Sequence, residues 1–209
     1  MTPPGAGENG ITPVPPKSLR GLRAMEPTEA RTLPRAPERP PHNLPLQLSS
    51  FIGREREVAE VKQLISNNRL LTLTGSGGCG KTRLALAAAL EVVGEFEDGT
   101  WWVALASLSQ PDLLPQAVAT ALGVREAPGR SLSEALVEHL ETKNLLLVLD
   151  NCEHLIDACA PLSDTLLHSC SDLYILATSR EALGVAGERA WLVPSLSLPP
   201  LSLCPPSRS

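Results

Sequence analysis

The sequence predicts an α/β fold, a parallel sheet covered by helices on both faces, flanked by disordered proline-rich tails. Three observations carry this. Stretches with helical periodicity alternate with short apolar runs of strand length between about residue 48 and residue 195. The clearest of these runs, "LLLVL" at 145–149, is apolar throughout, the pattern of a strand buried on both faces. Aromatic residues and prolines also separate: all six aromatics lie between Phe51 and Trp191, whereas eleven of the twenty prolines precede Leu46 and five stand from Pro194 onward. Proline-rich segments without aromatics cannot bury enough surface to offset chain entropy. The expected organisation is a disordered linker over 1–45, a folded domain over 46–195, and a disordered or truncated tail over 196–209.

Each element follows from its pattern. Over 56–68, Val58, Val61, Leu64 and Ile65 share one helical face, and Asn67 and Asn68 can end the helix. Residues 69–75, "RLLTLTG", read as a short strand running into glycine. The helix at 81–94 is apolar nearly all round and closes at Gly94. "TWWVAL" at 100–105 is a second strand, its paired tryptophans facing opposite sides; core packing is the default for both, base stacking a lesser option. Ser109 can cap the helix at 110–123, which has proline near its start, Asp112 in the first turn and Gly123 after its end. Ser131 and Glu134 form a capping box for 132–143. A third strand spans 144–150, a helix runs from about 153 to 170, and a fourth strand covers 173–179. Pro161 should kink or restart that last helix.

Composition narrows the function. The net charge of −5 argues against a surface that coats nucleic acid, and no helix-turn-helix pattern is evident. No apolar run approaches the roughly 20 residues needed to cross a bilayer. The N-terminus lacks the charged start and apolar stretch of a signal peptide, so the chain reads as cytoplasmic, with no membrane partner. Five cysteines (79, 152, 159, 170 and 204), without a C-x-x-C pair, fit neither a disulfide framework nor a zinc site and read as reduced thiols.

The strongest signal is "GSGGCGKT", Gly75 to Thr82, which matches G-x-x-x-x-G-K-[ST] where a strand meets a helix. Gly75, Gly77, Gly78 and Gly80 permit backbone angles closed to other residues, so the N–H groups along Gly75, Ser76, Gly77, Gly78, Cys79 and Gly80 can face one concavity. The start of the following helix, with Arg83 in its first turn, adds partial positive charge. Lys81 would reach the β- and γ-phosphates, and the Thr82 hydroxyl would ligate Mg²⁺. Asp150, ending its apolar strand, needs a partner for its charge. A magnesium ion shared with Thr82 supplies one and makes Asp150 a Walker B aspartate; simple capping of the next helix is the alternative.

"FIGRERE", "TGSGGCGKT", "LLLVLDNCEHL" and "ILATSRE", in this order, resemble the nucleotide-binding domain of STAND-class ATPases, the NB-ARC-like switch proteins. The likeness covers about 43–199 and is greatest to the ATPase modules of bacterial multidomain transcriptional regulators of the LuxR and AfsR kinds. It implies a P-loop NTPase three-layer sandwich that binds ATP or ADP with Mg²⁺. By the same resemblance, Phe51, Ile52, Gly53 and Arg54 match the motif that lies against adenine and ribose. Arg180 matches the arginine that senses the γ-phosphate. The bland alternatives are a charged first helical turn for "FIGRERE" and an ordinary surface residue for Arg180.

Hydrolysis requires a group that orients or deprotonates water. Many nucleotide-hydrolysing proteins place a second acid after the magnesium aspartate, but here stands Asn151, which takes no proton near neutral pH. Glu153, in the first turn of a helix starting at Asn151, could face the phosphate instead. His154 reads as a polar or packing residue, since metal ligation lacks partners. The expectation is a slow ATPase acting as a signalling switch, with Asp150, Glu153 and Arg180 catalytic and with protein partners or self-association through adjacent domains. A non-hydrolysing nucleotide-binding or protein-interaction fragment is the alternative. A small-molecule kinase fits less well, having no basic lid segment to show for it. Relatives of this class run on into lid domains, so "PLSLCPPSRS" suggests a shortened reading frame.

Overall fold

A computed structural model describes residues 40–46, 53–126 and 129–195. The tails expected to be disordered lie outside these residues at 1–39 and 196–209. Five strands, β1 (Leu70–Thr74), β2 (Thr100–Ala104), β3 (Leu145–Asp150), β4 (Leu173–Thr178) and β5 (Arg189–Leu192), pair in parallel in the order β2-β3-β4-β1-β5. Five helices, α1 (Glu55–Asn67), α2 (Lys81–Val92), α3 (Leu114–Leu122), α4 (Leu132–Leu140) and α5 (Ile156–Ser169), form the outer layers.

The two faces of the sheet follow from alternation along each strand. Leu145, Leu147 and Leu149 of β3 pack with Ile175 and Ala177 of β4 against α3, α4 and α5. Leu146 and Val148 pack with Leu176, Leu71 and Leu73 against α1 and α2. Asp150 continues the second set, because side chains repeat every two residues along a strand. The parity of its position therefore aims the aspartate at α2, the helix that follows the glycine loop.

Several local expectations match. The Ser131 side chain accepts the Glu134 N–H, and Glu134 reaches back to the Ser131 N–H, which completes the capping box of α4. Gly123 ends α3 in the left-handed region, φ 70°. Val61 and Ile65 are the buried face of α1.

Others need correction. Ser109 does not cap; a single 3-10 turn at Pro111–Leu113 leads into α3, with Gln110 at its N-cap and no side-chain cap. Helix α2 ends at Val92, and Gly94 lies in a 3-10 turn rather than in a left-handed cap. The expected helix near 153 begins instead with a 3-10 turn, Cys152–His154, followed by α5, which runs on through Pro161. Strand β5 stands outside the four strands that the sequence pattern predicts, and β2 is an edge strand, so Trp102 is buried while Trp101 is half-buried and donates to the Asp98 carbonyl.

Residues 40–45, the end of the expected linker, instead make specific contacts with β2. His42 bridges Thr100, Asn43 holds both main-chain polar groups of Trp102, and Leu44 is buried. The fit is close: a Cβ on Gly99, φ +100°, would lie 2.0 Å from the Pro41 carbonyl oxygen, so only glycine admits this segment.

At the amino ends of the strands, Arg69 ties β1 to its neighbours. Its guanidinium donates to the carbonyls of Leu167 (2.8 Å) and Cys170 at the end of α5, and to Leu173 (3.2 Å) at the start of β4. The first two are carbonyls that the end of α5 leaves without intrahelical partners.

Candidate functional site

The carboxyl ends of β1, β3 and β4 lie side by side, and their register decides what meets there. Leu73 pairs with Thr178, and Leu149 pairs with Ala177, so Asp150 comes level with Thr178 in the middle of the sheet. The loop 75–80 leaves β1 beside them and enters α2.

Within that loop Gly75, Gly78 and Gly80 have positive φ. Gly75 is confined twice over. Its φ of +143° disfavours a side chain, and a Cβ there would lie 3.1 Å from Cys79 Sγ and 3.5 Å from the Val193 carbonyl oxygen. The tip, Ser76 to Gly78, is exposed, whereas Gly75 and Cys79 are buried. Gly80 is the left-handed N-cap of α2 and offers no side chain to the first helical N–H groups.

Lys81 is buried at 8% exposure, and its Nζ donates to the carbonyls of Gly75 (2.8 Å) and Ser76 (3.0 Å). No carboxylate pairs with it among the described residues. A buried ammonium held by carbonyls alone, at a helix N-terminus, is a strongly anion-attracting arrangement. Arg83 is exposed on the first turn of α2.

Thr82 Oγ1 donates to Asp150 Oδ1 at 2.8 Å. The two side chains that would share one cation are thus in direct contact. Asp150, 7% exposed, also accepts from Thr178 Oγ1 at 2.6 Å, and the same Thr178 hydroxyl accepts the Asn151 N–H at 2.9 Å. Thr178 has no special sequence signal; only its place on the central strand, next to the end of β3, reveals it.

Asn151 takes a left-handed backbone, φ 70°, as no other non-glycine does among the described residues. Asparagine tolerates that region better than glutamate or aliphatic residues. Its amide lies 3.3 Å from His154 Nδ1, and His154 Nε2 lies 2.8 Å from the Leu108 carbonyl oxygen. Since a carbonyl only accepts, Nε2 carries the proton and Nδ1 receives the Asn151 amide. His154 is a satisfied polar residue that fixes Asn151.

The acid near the loop is Glu153. Its Oε1 lies 3.4 Å from Arg180 Nε, and its Oε2 is buried without a hydrogen-bond partner. Arg180 reaches onward to the glycine loop, with an Nη 3.6 Å from where a Cβ on Gly77 would stand. The two side chains, drawn from different strand ends, therefore meet, and Arg180 links the pair to the loop.

Of the four residues matched to the adenine motif, Phe51 and Ile52 lie outside the described residues. Gly53 is exposed, and its N–H donates to Glu55 Oε1 at 3.1 Å; the main-chain N–H of Glu55 itself, and then that of Gly53, hold the Glu55 carboxyl below its ordinary pKa. Arg54 departs from the charged-surface alternative. It is 3% exposed, and its Nη2 donates to the carbonyls of Cys79 (3.1 Å) and Pro194 (2.9 Å).

Comparison with known proteins follows this geometry. Residues 46–193 match the family model described as "Novel STAND NTPase 1". An uncharacterized protein of Mycobacterium tuberculosis is 46% identical over 157 residues, 75% of this chain and 40% of that protein. A second protein of that organism, provisionally named an HTH-type transcriptional regulator, is 46% identical over 138 residues, 66% of this chain and 15% of its own length. The chain thus spans well under half of the curated relatives it matches. Among solved structures, a STAND protein with a tetratricopeptide repeat sensor from Pyrococcus horikoshii aligns at 17% identity and TM-score 0.48, over 71% of this chain and 24% of that one.

Proposed function

The chain belongs to the Novel STAND NTPase 1 family, and from that footing we propose that it is an ATP-binding switch domain with slow, magnesium-dependent hydrolysis. The observation that carries the reading is the 2.8 Å contact between Thr82 Oγ1 and Asp150 Oδ1 at the foot of the glycine loop. A hydroxyl and a carboxylate converging there form a hard-oxygen donor set suited to Mg²⁺. When bound, magnesium neutralises charge on the phosphate oxygens. The residues do the rest. Main-chain N–H groups of the loop and Lys81 gather the phosphates, and Thr178 fixes the Asp150 carboxylate. Glu153, whose free oxygen is buried, orients and deprotonates the attacking water. Arg180, ion-paired to Glu153 and close to Gly77, answers to the γ-phosphate.

The preference for adenine rests on the family likeness. A role as one module of a larger regulator rests on the relative named for transcription control; a cytoplasmic setting and protein partners rest on the family likeness. Among the described residues no helix is long and apolar enough to cross a membrane.

Calorimetry with ATP, ADP and GTP, each with and without Mg²⁺, tests the binding. ATP and ADP should bind, and Mg²⁺ should tighten ATP; Asp150→Asn should abolish the magnesium gain while leaving metal-free binding in place. Absence of any nucleotide heat sinks the reading. Phosphate release with Mg²⁺ then separates the slow ATPase from a domain that binds without cleaving.

A further inference from the structure

Among the described residues Arg54 is the most deeply buried charged side chain, yet no acid accompanies it. Its charge faces two main-chain carbonyls. One Nη2 nitrogen donates both to Cys79, in the glycine loop, and to Pro194, just after β5, while Nη1 is buried without a partner. Burying a guanidinium without a carboxylate is unfavourable, so a fold that needed only packing here would be better served by an apolar side chain.

We propose that Arg54 is a positioning residue that makes the phosphate loop and the chain leaving the sheet at Pro194 a single coupled unit. This rests on the nucleotide-binding reading above. The geometry gives the mechanism. Among the described residues every peptide bond is trans, so the Cys79 carbonyl and the Gly80 N–H point in opposite directions. By holding that carbonyl on its own side, Arg54 sends the Gly80 N–H the other way, at the N-cap of α2. The second hydrogen of the same nitrogen grips Pro194, whose neighbour Val193 continues the β1–β5 pairing through its N–H to Thr74 at 2.8 Å. Gly75 completes the link, since a Cβ there would lie 3.5 Å from the Val193 carbonyl oxygen and 3.8 Å from Leu192, so the start of the loop runs close along the end of β5.

Two consequences follow. A nucleotide that orders the loop also stiffens the exit from β5. By reciprocity, whatever displaces the chain at Pro194 alters nucleotide affinity by the same factor. Arg54 thereby supplies a route by which occupancy of the loop is reported to the segment that follows the sheet.

The test uses the full chain and its Arg54→Met and Arg54→Lys variants. Nucleotide affinity comes from calorimetry with ADP, and amide hydrogen exchange is followed at Val193 and Ser195 with and without saturating ADP. In the wild type, ADP should slow exchange at both amides. Arg54→Met, matched in bulk but without the charged donor, should bind ADP about tenfold more weakly. At saturation it should still protect the loop yet leave Val193 and Ser195 unresponsive. Arg54→Lys, shorter and reaching one carbonyl at a time, should lie between them, and it carries the comparison if the methionine variant does not fold. Wild-type ADP binding with the same exchange response in both variants overturns the coupling. No ADP binding by the wild type overturns the nucleotide reading instead, so the two failures are distinct.

Discussion

At the amino ends of the strands, Arg69 and Asp98 have all their partners within the chain; at the carboxyl ends, several buried charged groups among the described residues do not. Arg69 spreads its donors over three carbonyls, and Asp98 pairs with Lys143 Nζ at 2.7 Å while accepting the Asn144 N–H at 2.9 Å. Across the sheet, Lys81 has only loop carbonyls, Arg54 keeps a buried Nη1 free of partners, and Glu153 keeps a buried Oε2. A few hydroxyls elsewhere, on Thr72, Thr100 and Ser163, also lack partners, but they are neutral. Buried polar groups are normally hydrogen-bonded, and charged ones cost most when they are not. The unsatisfied charges cluster beside the glycine loop, where the proposed nucleotide would meet them. The satisfied ones hold the opposite end rigid.

That contrast can be broken by removing charges from each end in turn. The largest effect belongs to Lys81→Ala. Without the ammonium the loop keeps its glycines but loses the buried cation of its own sequence, and ATP affinity should fall by roughly a thousandfold, with little change in the thermal midpoint. Equal binding in an equilibrium titration would show that the ammonium only braces its own loop. Next is Glu153→Gln, which preserves shape and removes the base. Single-turnover hydrolysis should slow by about a hundredfold while ATP binding stays near wild type. An unchanged rate moves the base elsewhere and leaves the buried Oε2 unexplained.

The sequence made some of this arrangement legible, and the rest depended on what the strands lie beside. The loop 75–82 was readable because its constraints are local: glycines, a lysine and a threonine at fixed spacing between an apolar run and a helix. Asp150 was readable for the same reason, as a charge closing an apolar run. Thr178 was not, because it matters only through the register that sets β4 between β1 and β3. Strand β5 escaped notice since "RAWL" is short, starts with a charge and lies at a half-exposed edge; it becomes a strand by pairing with β1. The burial of Arg54 runs against its surroundings, which read as a charged helix start with Glu55 and Glu57. The prolines of residues 40–45 point to a linker, yet the side chain of Asn43 substitutes for a neighbouring strand along Trp102.

At the amino end, substitutions should move stability and leave ligand binding alone. Arg69→Met strips three carbonyls of their donor and should cost about 2–3 kcal/mol, read as a lower denaturation midpoint with unaltered ADP affinity. A loss of affinity matching the loss of stability would mean that the two ends of the sheet are not independent.

Asp98→Asn gives the smallest effect and the one with a pH signature. The Lys143 ammonium hydrogen-bonded to Asp98, helped by the Asn144 N–H, holds the carboxyl below its ordinary pKa against the opposing effect of burial. A carboxylate whose folded pKa is depressed stabilises the fold above the unfolded value, and that contribution fades as pH falls through the folded value. The pair is partly exposed, at 38% for the Lys143 side chain and 30% for that of Asp98, so solvent screening keeps its worth to about 1 kcal/mol at pH 7. The stability gap between wild type and Asp98→Asn should therefore hold constant from neutrality down to about pH 5 and close below about pH 4. A gap that persists at pH 3 would assign the effect to the Asn144 hydrogen bond and the packing around it, not to charge. The amino end would then be held by geometry alone, a sharper contrast with the ligand-facing charges across the sheet.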